Sequence, residues 1–270
     1  MAYQNLQDFI AVLEKAGELK RIAVPVDPHL EISAIAGRIM KEGGPALLFE
    51  QVRGSAYPLA INLMGSERRM AMALNAESLD AKAQEISDII DWAWSAARDF
   101  NPFTTIPQAI PKLPVALSLI PRKKSHPLCQ EVVDDDAGFD SLPVLTCWPE
   151  DEGPFLTLPL VCTEDPETGG RNIGMYRMQV YDKHTAGMHW HLHKDGAYFF
   201  DKYRKRGERM PVAVALGCDP AVIYAATAPL PQGVWEILFA GFLRGRGAEV
   251  SKATLSDILV PADAEFVLYM

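Results

Sequence analysis

The 270-residue chain has no run of eighteen apolar residues, so nothing in it reads as a membrane span. Its opening residues, MAYQNLQDFI, lack the charged-then-apolar pattern of a secretory signal. No G-x-G-x-x-G and no P-loop is present, which removes two common phosphate cradles. The cysteines, Cys129, Cys147, Cys162 and Cys218, are far apart and include no C-x-x-C pair. Neither a structural zinc nor a disulfide framework is therefore expected, and Cys162, in an alternating apolar run, reads as a small buried hydrophobe. Clustered positive charge is missing too. Net charge is −9, and the one basic run, Arg122-Lys123-Lys124, is soon followed by Asp134-Asp135-Asp136. Duplex nucleic acid is excluded as a partner on that ground. A cytoplasmic globular protein is expected.

What is present points to an α+β chain of two domains, 1–110 and 111–270. Leu6, Phe9, Ile10 and Leu13 have helical spacing, stopped by Gly17. A strand is expected over 18–26, and Asp27-Pro28 reads as the cap and first position of a second helix. Strands over 46–49 and 58–61 follow, then helices capped by Ser66 and Ser78. The latter carries Ile86, Ile89, Ile90 and Trp94 on one face. The order αβαββαα indicates a small α/β layer domain. Prolines 102, 107, 111, 114, 121 and 127 predict an extended connector over 101–127, with a polyproline ligand as the competing reading. Beyond Cys129 the pattern is mostly β. Short strands are expected over 155–162, 172–181, 211–216, 222–226 and twice within 248–268, with helices over 197–205 and 233–243. Such spacing fits a barrel or sandwich.

Residues 172–196 carry an unusual load. An alternating run over 172–181, a polar turn and a return segment containing His189, His191 and His193 read as a β-hairpin. On a strand, those three imidazoles share one face, an arrangement open to a metal hydrolase as well as to simple packing. Asn172 is a hard-oxygen donor. With an imidazole and a carboxylate it would suit Mn²⁺ or Mg²⁺. Glu236 is a candidate carboxylate, or else a first-turn acid favoured by the helix dipole. Arg177 inside an apolar alternation needs an anion, either a structural carboxylate or a ligand's carboxylate or phosphate. Asn172 and Arg177 are five apart, so strict alternation sets them on opposite faces. A bulge near Gly174, or Asn172 lying ahead of the strand, would reconcile them.

Several segments, taken in order, resemble a known family. They are Leu142-Pro143-Val144-Leu145-Thr146-Cys147-Trp148-Pro149, Gly153-Pro154-Phe155, Arg171-Asn172-Ile173-Gly174-Met175-Tyr176-Arg177, His191-Leu192-His193-Lys194-Asp195-Gly196 and Ala225-Ala226-Thr227-Ala228-Pro229. Leu30-Glu31-Ile32-Ser33 and Gly43-Gly44-Pro45-Ala46-Leu47-Leu48-Phe49-Glu50 add to them. These are similar to the UbiD-type decarboxylases, non-oxidative (de)carboxylases that use prenylated FMN, across nearly the whole chain.

The resemblance implies a split β-barrel flavin-binding domain, akin to flavin reductases, after the small α/β domain. It implies that Asn172, His193 and Glu236 hold Mn²⁺ or Mg²⁺ against the cofactor phosphate, with K⁺ on the carbonyls of Ala225 and Ala228. Met175, Tyr176, Arg177, His189, Trp190, Lys194 and Asp195 would line the prenylated flavin. Arg177 would act catalytically by holding the carboxylate of an aromatic or α,β-unsaturated acid. A flavin prenyltransferase as cofactor supplier and a homo-oligomeric full-length form are implied as well. Members of the family run to nearly twice this length and carry an acidic motif with the catalytic acid after a segment like 261–268, whereas this chain ends at Met270. The expectation is thus a decarboxylase or its cofactor-binding part, the alternative being a flavin-phosphate-binding module without decarboxylase activity.

Overall fold

The computed structural model describes residues 3–99 and 107–270; part of the expected connector, 101–106, lies outside them. The first seven elements follow the expected order: α1 Leu6–Lys15, β1 Leu19–Ile22, α2 Glu31–Lys41, β2 Ala46–Phe49, β3 Leu59–Ile61, α3 Glu67–Ala73 and α4 Leu79–Arg98. Asn5, Ser66 and Ser78 cap α1, α3 and α4, each side chain accepting from a backbone N–H three residues on. Gly17 takes the left-handed φ of +74° that ends the first helical segment. β1 and β2 pair parallel, with α2 as their crossover, and β3 adds antiparallel to β2.

Two expectations fail in this half. Asp27-Pro28 does not start α2. The Asp27 carboxylate accepts from the His29 N–H instead, making a local turn, and the helix begins at Glu31. On α4, Ile86 and Ile89 pack inward but Ile90 and Trp94 do not, and Trp94 is 72% exposed. The apolar face is narrower than the pattern suggested.

Residues 110–118 are not extended. A 3₁₀ turn, Ile110–Lys112, leads into α5, Leu113–Ser118; Pro111 and Pro114 sit in first-turn positions that need no donor. The remaining elements are β4 Arg122–Lys123, β5 Phe155–Leu156, β6 Leu160–Glu164, β7 Arg171–Met175, β8 Met178–Val180, β9 Ala186–Met188, α6 Asp195–Arg206, β10 Ala213–Leu216, α7 Pro220–Ala225, α8 Glu236–Arg244, β11 Glu249–Lys252, β12 Leu259–Pro261 and β13 Phe266–Tyr269. The run expected as a strand over 222–226 is helix α7. Asp219 caps it by accepting from Ala221 N–H at 2.8 Å, and Pro220 takes the first position.

The chain is α+β. Among the described residues the strands form sheets ordered β1-β2-β3, β13-β10-β6-β7, β12-β11-β4 and β5-β8-β9, and none closes on itself. The expected single strand over 172–181 is two strands in different sheets, broken at Tyr176-Arg177. One apolar cluster joins Leu6, Phe9, Leu13 and Leu74 to Leu160, Ile173, Ala215 and Ile237. A second gathers Tyr176, Met178 and Val214 with Phe139, Leu142 and Leu156. No helix among the described residues is long and apolar enough to cross a membrane.

Candidate functional site

Three elements converge beside β7: the strand itself, the first turn of α8 and the first turn of α6. β7 is the edge of its sheet, pairing with β6 so that Asn172 lies opposite Thr163. Its outward-facing Ile173 N–H would have no strand partner, and Glu236, the first residue of α8, supplies one. Glu236 Oε2 accepts from Ile173 N at 2.7 Å, and Oε1 accepts from Asn172 Nδ2 at 2.7 Å. Both side chains are buried. Burial pushes the Glu236 carboxyl up to about 7, against the N–H bonds of Ile173 and its own backbone, with the charge of Asp195 adding to the rise.

Asn172 Oδ1 is buried with no donor. An orphaned acceptor beside a desolvated carboxylate, with no cationic side chain paired to either among the described residues, is a donor set short of a cation. Hard oxygens of this kind fit Mn²⁺ or Mg²⁺. His193, the third expected ligand, is exposed in the turn before α6, and its side chain makes no hydrogen bond among the described residues. The carbonyls of Ala225 and Ala228 already accept from the N–H groups of Ala228 and Leu230, at 3.1 and 2.9 Å, and each keeps a second lone pair.

Strict alternation does not carry from Asn172 to Arg177, because the strand breaks between them. Neither a bulge at Gly174 nor a late strand start is involved: β7 ends at Met175, and the chain turns before β8. Tyr176 folds back over Gly174, where a Cβ would lie 2.3 Å from the ring. Its hydroxyl accepts from Gly196 N at 3.1 Å, and its ring packs edge-on to Trp190 at 4.9 Å. Burial pushes the Tyr176 hydroxyl up. Arg177 is exposed. Its carbonyl accepts from His189 N at 3.1 Å, and its guanidinium sits 4.0 Å from the centre of the Phe155 ring. Met175 and Asp195 are half-buried, Lys194 exposed.

The three-histidine face does not exist. β9 ends at Met188 and α6 begins at Asp195, so His189, His191 and His193 lie on irregular chain, all exposed. The rings of His189 and His191 are 5.5 Å apart and tilted. Among the described residues no group of three or more His, Cys, Asp or Glu could hold a metal. Two open cavities, of about 410 and 370 Å³, lie elsewhere; neither is lined by Asn172, Arg177 or Glu236. Sequence reasoning assigned no role to Phe155 or to the Tyr176–Gly196 bond, although Phe155 sits in the Gly153-Pro154-Phe155 segment.

Two family models match this chain. Residues 121–269 match the 3-octaprenyl-4-hydroxybenzoate carboxy-lyase Rift-related domain, and residues 10–90 the 3-octaprenyl-4-hydroxybenzoate carboxy-lyase N-terminal domain. An uncharacterized protein of Archaeoglobus fulgidus is 45% identical over 269 residues, 99% of this chain and 54% of that one. The vanillic acid decarboxylase of Sedimentibacter hydroxybenzoicus, in closed form, shares the fold with a TM-score of 0.86 at 26% identity, over 100% of this chain and 55% of that one. An evolved dimeric form of the UbiD-class enzyme HmfF from Pelotomaculum thermopropionicum, in complex with prFMN, gives 0.79 at 27%, over 99% and 57%. The chain spans about half the length of the relatives it matches.

Proposed function

Because this chain belongs to the UbiD family of carboxy-lyases, we propose that it forms the cofactor-holding part of a non-oxidative (de)carboxylase. Its substrate is an aromatic or α,β-unsaturated carboxylic acid and its cofactor is prenylated FMN. The observation that carries the proposal is the buried, donorless Asn172 Oδ1 beside the Glu236 carboxylate.

In this reading Asn172 and Glu236, joined by His193, would hold Mn²⁺ or Mg²⁺, which would supply positive charge for the flavin phosphate, and the carbonyls of Ala225 and Ala228 would hold K⁺. Met175, Tyr176, Arg177, His189, Trp190, Lys194 and Asp195 line the flavin. When bound, prenylated FMN supplies the electron sink for loss of CO₂ from an unsaturated acid. Arg177 does the orienting: its guanidinium fork matches a carboxylate bidentately, and holding the acid in register lowers the barrier through proximity. Tyr176 ties the end of β7 to the first turn of α6 through Gly196. The sheets β13-β10-β6-β7 and β5-β8-β9, continuous through the β7–β8 turn, are read as halves of a split β-barrel. The division into 1–110 and 111–270 is supported by the separate stretches over which the two family models match.

The experiment is expression of the chain with a flavin prenyltransferase, followed by absorbance and CO₂ release from a panel of aromatic and acrylic acids. Bound modified flavin is expected, and CO₂ release with it would show the decarboxylase reading in this chain alone. Bound flavin without release leaves only a flavin-phosphate-binding module, and absence of bound flavin sinks the proposal.

A further inference from the structure

Arg177 is an exposed cation whose guanidinium has no ion pair and no hydrogen bond among the described residues. Free arginine side chains of that kind usually sample many rotamers. This one lies 4.0 Å from the centre of the Phe155 ring, the shortest cation–aromatic contact among the described residues. The backbone beneath it is fixed as well, since the Arg177 carbonyl accepts from His189 N.

Phe155 is buried at 8% exposure and, like Phe199, belongs to none of the three apolar clusters that form the core. Its position is set by backbone: Phe155 N donates to Leu145 O at 2.7 Å, and the residue pairs with Gln179 across β5 and β8. Its ring has a guanidinium for a neighbour.

The chemistry of the contact matters. A carboxylate partner would immobilise Arg177 by occupying its N–H donors. An aromatic face attracts the charge through the ring quadrupole and leaves those donors unused. We propose that Phe155 is a positioning residue: its ring restrains the Arg177 guanidinium while keeping the fork free for the substrate's carboxylate. The inference rests on the reading of Arg177 as the carboxylate-holding group.

The test needs no loaded cofactor. Benzoate and its neutral analogue benzamide are titrated by NMR into the full chain, Arg177→Ala, Phe155→Leu and Phe155→Tyr. The native chain should prefer benzoate, and Arg177→Ala should lose that preference. Phe155→Leu should weaken benzoate roughly two- to fivefold, the worth of an exposed cation–π contact, with benzamide unchanged. Phe155→Tyr, which keeps the ring, should restore native affinity. If Phe155→Leu binds benzoate as the native chain does while Arg177→Ala does not, Phe155 positions nothing and the inference falls alone. If Arg177→Ala keeps the preference, the role of Arg177 falls first and takes the inference with it. One readout is independent of whether Phe155→Leu folds. In the native chain the Arg177 Nε–H proton, shielded by the ring, should resonate upfield of the exposed Arg209; an unshifted resonance overturns the proposal.

Discussion

The Asn172 amide donates to Glu236 Oε1 at 2.7 Å across 64 residues of sequence, while its own Oδ1 is buried without a donor. Among the described residues no cationic side chain is paired to either group. Glu236→Gln removes the desolvated charge and keeps an acceptor. Its thermal stability without metal should therefore match or exceed the native chain's, while cation binding is lost. Glu236→Ala leaves the Ile173 N–H and the Asn172 amide unpaired, which costs roughly 1–3 kcal/mol. Thermal unfolding of the two variants side by side checks this.

Gly174→Ala should destabilise the chain by about 1–3 kcal/mol, the usual cost of overpacking a filled site. The added methyl would meet the Tyr176 ring, itself held by Trp190 and Gly196. Tyr176→Phe, which leaves the buried Gly196 N–H without its acceptor, should cost about 1–3 kcal/mol as well. Chemical denaturation checks both variants, and either one as stable as the native chain would contradict the account.

A pH effect arises away from the site. Asp219 is fully buried between Arg244, at 3.1 Å, and Asp263, whose Oδ2 accepts from Asp219 N at 2.7 Å. Burial pushes the Asp219 carboxyl up to about 6; Arg244 opposes this and Asp263 adds to it. Because the folded state disfavours the ionised form, stability from this group is full below pH 3.8 and is lost as pH rises through about 6. The gap corresponds to on the order of 3 kcal/mol. Asp219→Asn keeps a side-chain oxygen to cap α7 and should flatten the fall in melting temperature between about pH 4 and 6. An unchanged slope would count against it.

His191→Ala should leave divalent-cation binding within about twofold of native, because the proposed site takes its imidazole from His193 and not from His191. A metal site built on the three histidines would lose its ion in that variant. Isothermal titration with Mn²⁺ decides.

Much of the N-terminal fold was legible because its signals are local. Ser66, Ser78 and Gly17 mark helix ends by chemistry that acts within one turn. The failures share a cause. Reading 222–226 as a strand took an apolar run at face value and missed that Asp219-Pro220 is a helix start. Lining up three histidines assumed a strand that in fact stops at Met188. Reading 172–181 as one strand missed the break, because alternation continues in sequence even where the chain leaves one sheet for another. The Asn172–Glu236 pairing is long-range and has no periodic trace; donor chemistry made Glu236 one candidate carboxylate, and the family resemblance tied it to Asn172. Phe155 beneath Arg177 was invisible for the same reason, since it depends on how β5 lies against β8.

The central claim is a cation site on Asn172 and Glu236, and Mn²⁺ titration followed by electron paramagnetic resonance, with FMN present, addresses it most directly. The account predicts one bound ion per native chain and loss of that ion in both Asn172→Ala and Glu236→Ala. A native chain that leaves Mn²⁺ free, or variants that bind it as tightly as the native chain, would contradict it.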